Sequence, residues 1–198
     1  MSNVVIAINE SVKQFSLQIF DQYLHYDAST CFFNMAPGSE HYKLIGFIAA
    51  QFKNKTLIDC GTFIGLSAMA LSVEPSNKVI TYDIRDCLVM PGLTPKSLRN
   101  VEFKIQSCFD DMNTILESPF IVLDIDPHDG EKERLFIERL MELKYKGLVF
   151  CDDIFLNEPM KQFWNWVPLT KIDVTKYGHF SGTGIIIFDK DHIDVKFE

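Results

Sequence analysis

The chain has 198 residues, of which 47% are hydrophobic and 23% charged, and its formal net charge is −8. It is long enough to bury a core and too apolar for extended disorder. The acidic balance argues against nucleic acid and anionic membranes as partners, and no apolar run approaches the roughly 18 residues that cross a bilayer.

The first stretch, MSNVVIAINESVKQFSLQIF, lacks a basic start and carries Glu10 within its apolar part. It does not resemble a signal peptide, and a cytoplasmic protein is expected. Five cysteines (Cys31, Cys60, Cys87, Cys108 and Cys151) form no C-x-x-C pair. Buried reduced thiols are therefore expected, with neither a zinc site nor a disulfide framework.

Across residues 4–24, Val5, Ile8, Val12, Phe15, Ile19 and Phe20 fall at helical spacing, which predicts an amphipathic helix. Turn-forming residues follow, ending Ala36-Pro37-Gly38-Ser39-Glu40, and a second helix is predicted over roughly 40–53. These first 53 residues read as helices serving as a lid or an interface, which leaves a homodimer open. From residue 54 strands and helices alternate. Strands are expected at 56–59, 78–83, 101–106, 120–124 and 147–152, and helices at 65–73, 130–144 and 158–166. The apolar set of the helix over 130–144 is Leu135, Ile137, Leu140, Met141 and Leu143. Residues 169–174 and 183–188 form a last strand pair, antiparallel because the joining segment is too short for a crossover helix. The pattern predicts one α/β domain over 1–198. Its core is a Rossmann-like seven-stranded, mainly parallel sheet with helices on both faces.

Ligands in such sheets bind beyond the carboxyl ends of the strands. The first core strand ends in Asp59-Cys60-Gly61-Thr62-Phe63-Ile64-Gly65, with Ser67 in the next helix. The glycine spacing is G-x-x-x-G, whereas dinucleotide sites use G-x-G-x-x-G to seat a pyrophosphate. Phe63 stands where that pattern needs its second glycine. The turn suits a ligand without phosphate and disfavours an NAD(P)-dependent oxidoreductase.

The segment Leu57 to Ser67 resembles the first motif of class I S-adenosylmethionine-dependent methyltransferases. It is most similar to the small-molecule O-methyltransferase branch that includes catechol and macrolide-sugar enzymes. The resemblance runs from about residue 37 to residue 188. It implies that Asp59, Gly61, Thr62, Phe63, Gly65 and Ser67 form the cofactor turn. It also implies that Asp83 binds the ribose hydroxyls and that the loop with Ser107 and Cys108 flanks the adenine. Gly38 and Ser39, followed by Glu40, resemble the segment that closes over the methionine end.

Two acidic loops follow the next strands, Asp124-Ile125-Asp126-Pro127-His128-Asp129 and Cys151-Asp152-Asp153. Carboxylates gathered at neighbouring strand ends repel unless a positive charge sits among them. Mg²⁺, or Mn²⁺, is the natural counter-ion for oxygen ligands. The resemblance implies Asp124, Asp152 and Asp153 as metal ligands. One residue more than in relatives precedes the histidine, so Asp126 competes with Asp124 for the ligand role, leaving Asp124 to face the cofactor. Adjacent Asp152 and Asp153 can share an ion only if the strand has ended there.

An acceptor hydroxyl must lose its proton, and His128 is the leading base, with Asp152 beside it among the catalytic groups. His179 is second, and His25 and His41 are more distant candidates. Trp164 and Trp166 suit core packing better than stacking on an acceptor. The expected activity is S-adenosylmethionine-dependent transfer of a methyl group to a small-molecule or glycan hydroxyl, aided by a divalent metal. The alternatives are the oxidoreductase above and a catalytically silent methyltransferase-like binding subunit.

Overall fold

The computed structural model describes residues 4–24, 30–87 and 98–198. His25 lies outside them. Nine strands are described: β1 (Val4–Ile8), β2 (Thr56–Cys60), β3 (Lys78–Asp83), β4 (Val101–Ile105), β5 (Phe120–Leu123), β6 (Leu148–Asp152), β7 (Thr170–Asp173), β8 (Thr183–Ile187) and β9 (Ile193–Phe197). The helices are α1 (Tyr42–Ala49), α2 (Leu66–Leu71), α3 (Met112–Leu116), α4 (Glu131–Glu142) and α5 (Glu158–Trp166).

Seven strands form one sheet in the order β4-β3-β2-β5-β6-β8-β7. All pairs are parallel except those of β8, which runs against β6 and β7. Every residue of β5, β6 and β8 is buried, as strands covered on both faces require. Alternation then splits the core in two. Leu57, Val79, Val122 and Phe150 pack with α1 and α2, while Ile58, Ile80, Ile121 and Val149 pack with α3, α4 and α5. Trp164 belongs to this second core, its ring filling the space a side chain on Gly184 would need, and Trp166 packs against it partly buried.

The N-terminal expectation fails. Residues 4–8 are a strand, paired parallel with β9, and the chain continues in 3₁₀ turns at Glu10–Gln14 and Gln18–Tyr23. The reason is visible in burial. Ile6 and Ile8 are fully buried and Val5 is exposed, a period of two, and Ile19 points to solvent where a helix would have buried it. Asn9 then caps the first 3₁₀ turn through Ser11 N–H at 2.9 Å, which ends the strand. In α4 the buried face is Phe136, Ile137 and Leu140, and Leu135 is exposed.

Among the described residues, Cys60, Cys87, Cys108 and Cys151 are free, and no helix is long and apolar enough to cross a membrane.

Candidate active site

The strand switch point lies between β2 and β5, which leave the sheet centre in opposite connection directions. Here the chain makes its sharpest turn. Gly61 has φ +109, and a Cβ on it would lie 1.7 Å from the Asp124 carbonyl oxygen. The close approach is fixed by bonds from Asp124 N–H to Cys60 O and from Gly61 N–H to Tyr82 O, both 2.9 Å. Gly65 caps α2 in the left-handed region at φ +86.

Behind this turn sits a buried polar knot. Asp59 Oδ2 accepts from Thr81 Oγ1 at 2.6 Å and from Ser67 Oγ at 3.0 Å, and Thr62 shares a 2.5 Å bond with Thr81. Asp59 is fully buried, and its Oδ1 has no hydrogen-bond partner. Burial pushes its pKa up to about 7, against the bonds from Thr81 and Ser67. A folded pKa above the unfolded one means that the native state holds the proton longer, so stability falls as pH rises from about 4 to about 7. Asp59→Asn keeps an acceptor for Ser67 and Thr81 and removes the titration. We expect thermal melts to show a flatter pH profile for the variant and a midpoint several degrees above wild type at pH 8. An unchanged slope would refute the assignment.

In front of the turn lies a cleft of about 490 Å³ at the carboxyl ends of β2 to β5. Gly61, Phe63, Asp83, Ser107, Cys108 and Asp124 line it, as do Asp126 and His128. Asp83 is held by two amides, Phe63 N–H to Oδ2 at 2.8 Å and Arg85 N–H to Oδ1 at 2.9 Å. Its remaining lone pairs are free to take vicinal hydroxyls. Asp59, Thr62, Gly65 and Ser67 shape the turn from behind and are not part of the lining. Gly38 and Ser39 lie elsewhere, on the turn before β8, with Gly38 N–H bonded to Gly178 O at 2.9 Å.

At the cleft's inner end a cluster of carboxylates and imidazoles begins. β6 ends at Asp152, and Asp153 takes the left-handed region at φ +58, which turns consecutive aspartates toward one space. Ligand atoms of Asp124, His128 and Asp153 all lie within 4.8 Å of one another. His128 Nε2 is 3.8 Å from Asp124 Oδ1 and 3.8 Å from Asp153 Oδ2. Asp126 is also 3.7 Å from His128 but is mostly exposed and bonded to Arg85 at 2.9 Å. Asp152 belongs to the same cluster, 3.2 Å from His41 Nδ1 and 3.6 Å from His179 Nδ1, and its ligand atom lies within 4.8 Å of those of His41 and Asp124.

The electrostatics follow from this partition. Burial works to raise Asp152, but His41 and His179 outweigh it and hold its pKa below the usual carboxylate range. Burial works to lower His179, but its contacts with Asp152 and Asp153 and the charge of Glu40 raise it to about 10. Burial, then the charge of Asp152, pushes Asp124 up. His179 also bonds Ser181, whose hydroxyl donates to Asp153.

Glu40, read in the sequence as part of the segment beside the cofactor, and His41, read as a distant base candidate, both join the cluster. Glu40 meets His179 Nε2 at 3.6 Å, and buried His41 packs against Tyr42 and, edge-on, against Phe150. Only folding brings residues 40–41 and 179 together, so spacing gives no signal. Leu135, Ile84 and Arg85 line the cleft through their exposure, and for Leu135 its place off the buried face of α4 was the available clue.

The strand order β4-β3-β2-β5-β6-β8-β7 with a reversed β8 is a Rossmann-like fold shared with solved methyltransferase structures. Among solved structures, the chain is similar to a Staphylococcus aureus protein assigned as a caffeoyl-CoA O-methyltransferase. The two are 16% identical over 90% of this chain and 92% of that one, with a TM-score of 0.56. It is also similar to the SAH-bound Podospora anserina methyltransferase PaMTH1, at 13% identity over 92% and 89% of the two chains and a TM-score of 0.54. No protein-family model and no curated protein matches the chain.

Proposed function

We propose that this chain is an S-adenosylmethionine-dependent O-methyltransferase acting on a hydroxyl of a small molecule or glycan with the help of a divalent cation. One observation carries the reading. Asp124 lines the cleft and also belongs to the cluster with His128 and Asp153, so a ligand-sized cleft and a proton-handling group share a wall. The cleft volume lies within the roughly 300–1,000 Å³ typical of small-ligand sites.

The residues present fit the cofactor. Asp83 offers preset acceptors, Gly61 leaves the backbone bare, and Phe63, at the position a pyrophosphate would need clear, favours a phosphate-free ligand. Gly61, Phe63, Asp83, Ser107 and Cys108 would hold S-adenosylmethionine, which supplies a methyl group on a sulfonium. They also fit a cation. Asp124 and Asp153 would hold it, and it lowers the pKa of a bound hydroxyl.

The chain's own groups do the rest. His128 Nε2, at the cleft wall, takes the acceptor proton. Asp152, tied to His41 and His179, fixes the end of β6 and so the direction of Asp153. Leu135 and Ile84 add apolar surface to the cleft wall.

Isothermal titration with S-adenosylhomocysteine and with NAD tests the reading. Binding of NAD alone would overturn it. Asp83→Ala is expected to weaken the homocysteine ligand about 10- to 100-fold, the value of a charge-assisted hydrogen bond or two. Equal affinity would remove Asp83 from the site. A labelled-methyl screen of hydroxylated acceptors separates a catalyst from a silent binding subunit.

A further inference from the structure

Glu133 stands at the third position of α4 and is 2% exposed. A glutamate there commonly turns back to cap the helix. Burial pushes its pKa up, against the nearby amides of Glu133 and Gly130, and neither carboxylate oxygen has a hydrogen-bond partner at bonding geometry. A buried carboxylate without a donor is costly, and proteins keep such groups where they act. The nearest imidazole nitrogen is His128 Nδ1, 4.0 Å from Glu133 Oε1. The other nitrogen, Nε2, faces the cleft wall and the carboxylates of Asp124 and Asp153. One ring thus lies between a buried acid behind it and the cleft in front.

We infer that Glu133 is a positioning residue that fixes the orientation and tautomer of His128 by accepting its Nδ1–H, leaving the Nε2 lone pair to take the acceptor proton. The inference rests on the methyl-transfer reading above for its activity arm only. A hydrogen bond needs the 4.0 Å gap to close by about 1 Å, and catalytic hydrogen bonds often tighten only when substrate is bound. When Nε2 accepts the proton, the Glu133 carboxylate faces the imidazolium so formed. No proton passes to Glu133.

The test uses the full chain with Glu133→Leu and the isosteric Glu133→Gln. Histidine nitrogens are labelled with ¹⁵N, and the spectrum is recorded at pH 8 with and without S-adenosylhomocysteine. Wild type is expected to carry its His128 proton on Nδ1, and E133L is expected to lose that preference. E133L lowers kcat about 10- to 100-fold, the usual effect of removing a carboxylate behind a working histidine. E133Q, which keeps an acceptor, falls much less. Affinity for S-adenosylhomocysteine stays at the wild-type value, and the melting temperature of E133L does not drop. The same His128 tautomer in wild type and E133L overturns the inference. So does a rate loss that only follows loss of folded protein. If wild type methylates nothing, the functional reading fails while the tautomer result still decides this one.

Discussion

Gly61→Ala yields little folded protein, and what folds does not bind S-adenosylhomocysteine. The new methyl would lie 1.7 Å from the Asp124 carbonyl oxygen and 2.7 Å from its carbon. Both belong to backbone, so no rotamer change relieves the overlap. The strands cannot part either, because Asp124 N–H is bonded to Cys60 O across the same gap. An alanine at φ +109 also carries a conformational cost of about 1–2 kcal/mol. Together these exceed about 4 kcal/mol, the range reserved for broken cores. Thermal melts and soluble yield measure it, with a fall of ~10 °C or more for a chain of this size. Gly65→Asn is the control. Gly65 is also left-handed, at φ +86, but asparagine tolerates that region, so this variant stays folded. Equal stability of Gly61→Ala and wild type would mean that the two strand ends do not meet as described.

Removal of divalent metal by EDTA is expected to abolish methyl transfer, and Mg²⁺ or Mn²⁺ to restore it. Asp153→Asn reproduces the loss without EDTA. Asp153 leaves β6 through a left-handed residue that aims it at Asp124 and His128. His179 lies 3.2 Å from Asp153 and offsets part of the carboxylate charge, and a cation between Asp124 and Asp153 would offset the rest. A Lewis acid contributes several kcal/mol to deprotonating a hydroxyl, so the rate falls by about two to four orders of magnitude. Binding of S-adenosylhomocysteine is expected to survive, because Asp83, proposed to take the ribose, is untouched. Initial rates with a labelled methyl donor, with and without chelator, decide it. Full activity in EDTA would remove the cation from the mechanism and leave His128 as the whole apparatus.

The parts of the fold that rest on local period were legible in the sequence. β3 and α5 fall at the predicted residues, and β5, β6 and β8 differ by a residue at an end. Their signals are continuous apolar runs bounded by turn residues. The β1–β9 sheet was not legible, because its partners stand at Val4 and Ile193 and pairing over that separation leaves no local trace. The short run Val4 to Ile8 fits a strand or a helix equally, and the β-branched residues decide it only with a partner present.

The site divides the same way. Gly61, Phe63, Asp83, Ser107 and Cys108 were read from the chain and lie on one cleft. The backbone of one turn sets several of them. Asp152 and Asp153 are adjacent in sequence and both meet His179, yet Asp152 also reaches His41 and Asp153 reaches His128, which depends on one backbone angle at the strand end. Glu133 reads as an ordinary first-turn helix acid until its burial is known.

The reversal of β8 has a consequence for redesign. Because β8 runs against its neighbours, the turn before it re-enters the site from outside, delivering His179 and Ser181 to Asp153 and meeting Gly38. Among the described residues, the cleft itself is walled by residues between 61 and 135. The two halves of the site are thus written in separate stretches of chain and meet at the aspartates. A graft over residues 176–182 rewrites one half and leaves the other's wording intact, so the chain is a modular frame for exchanging one pocket at a time.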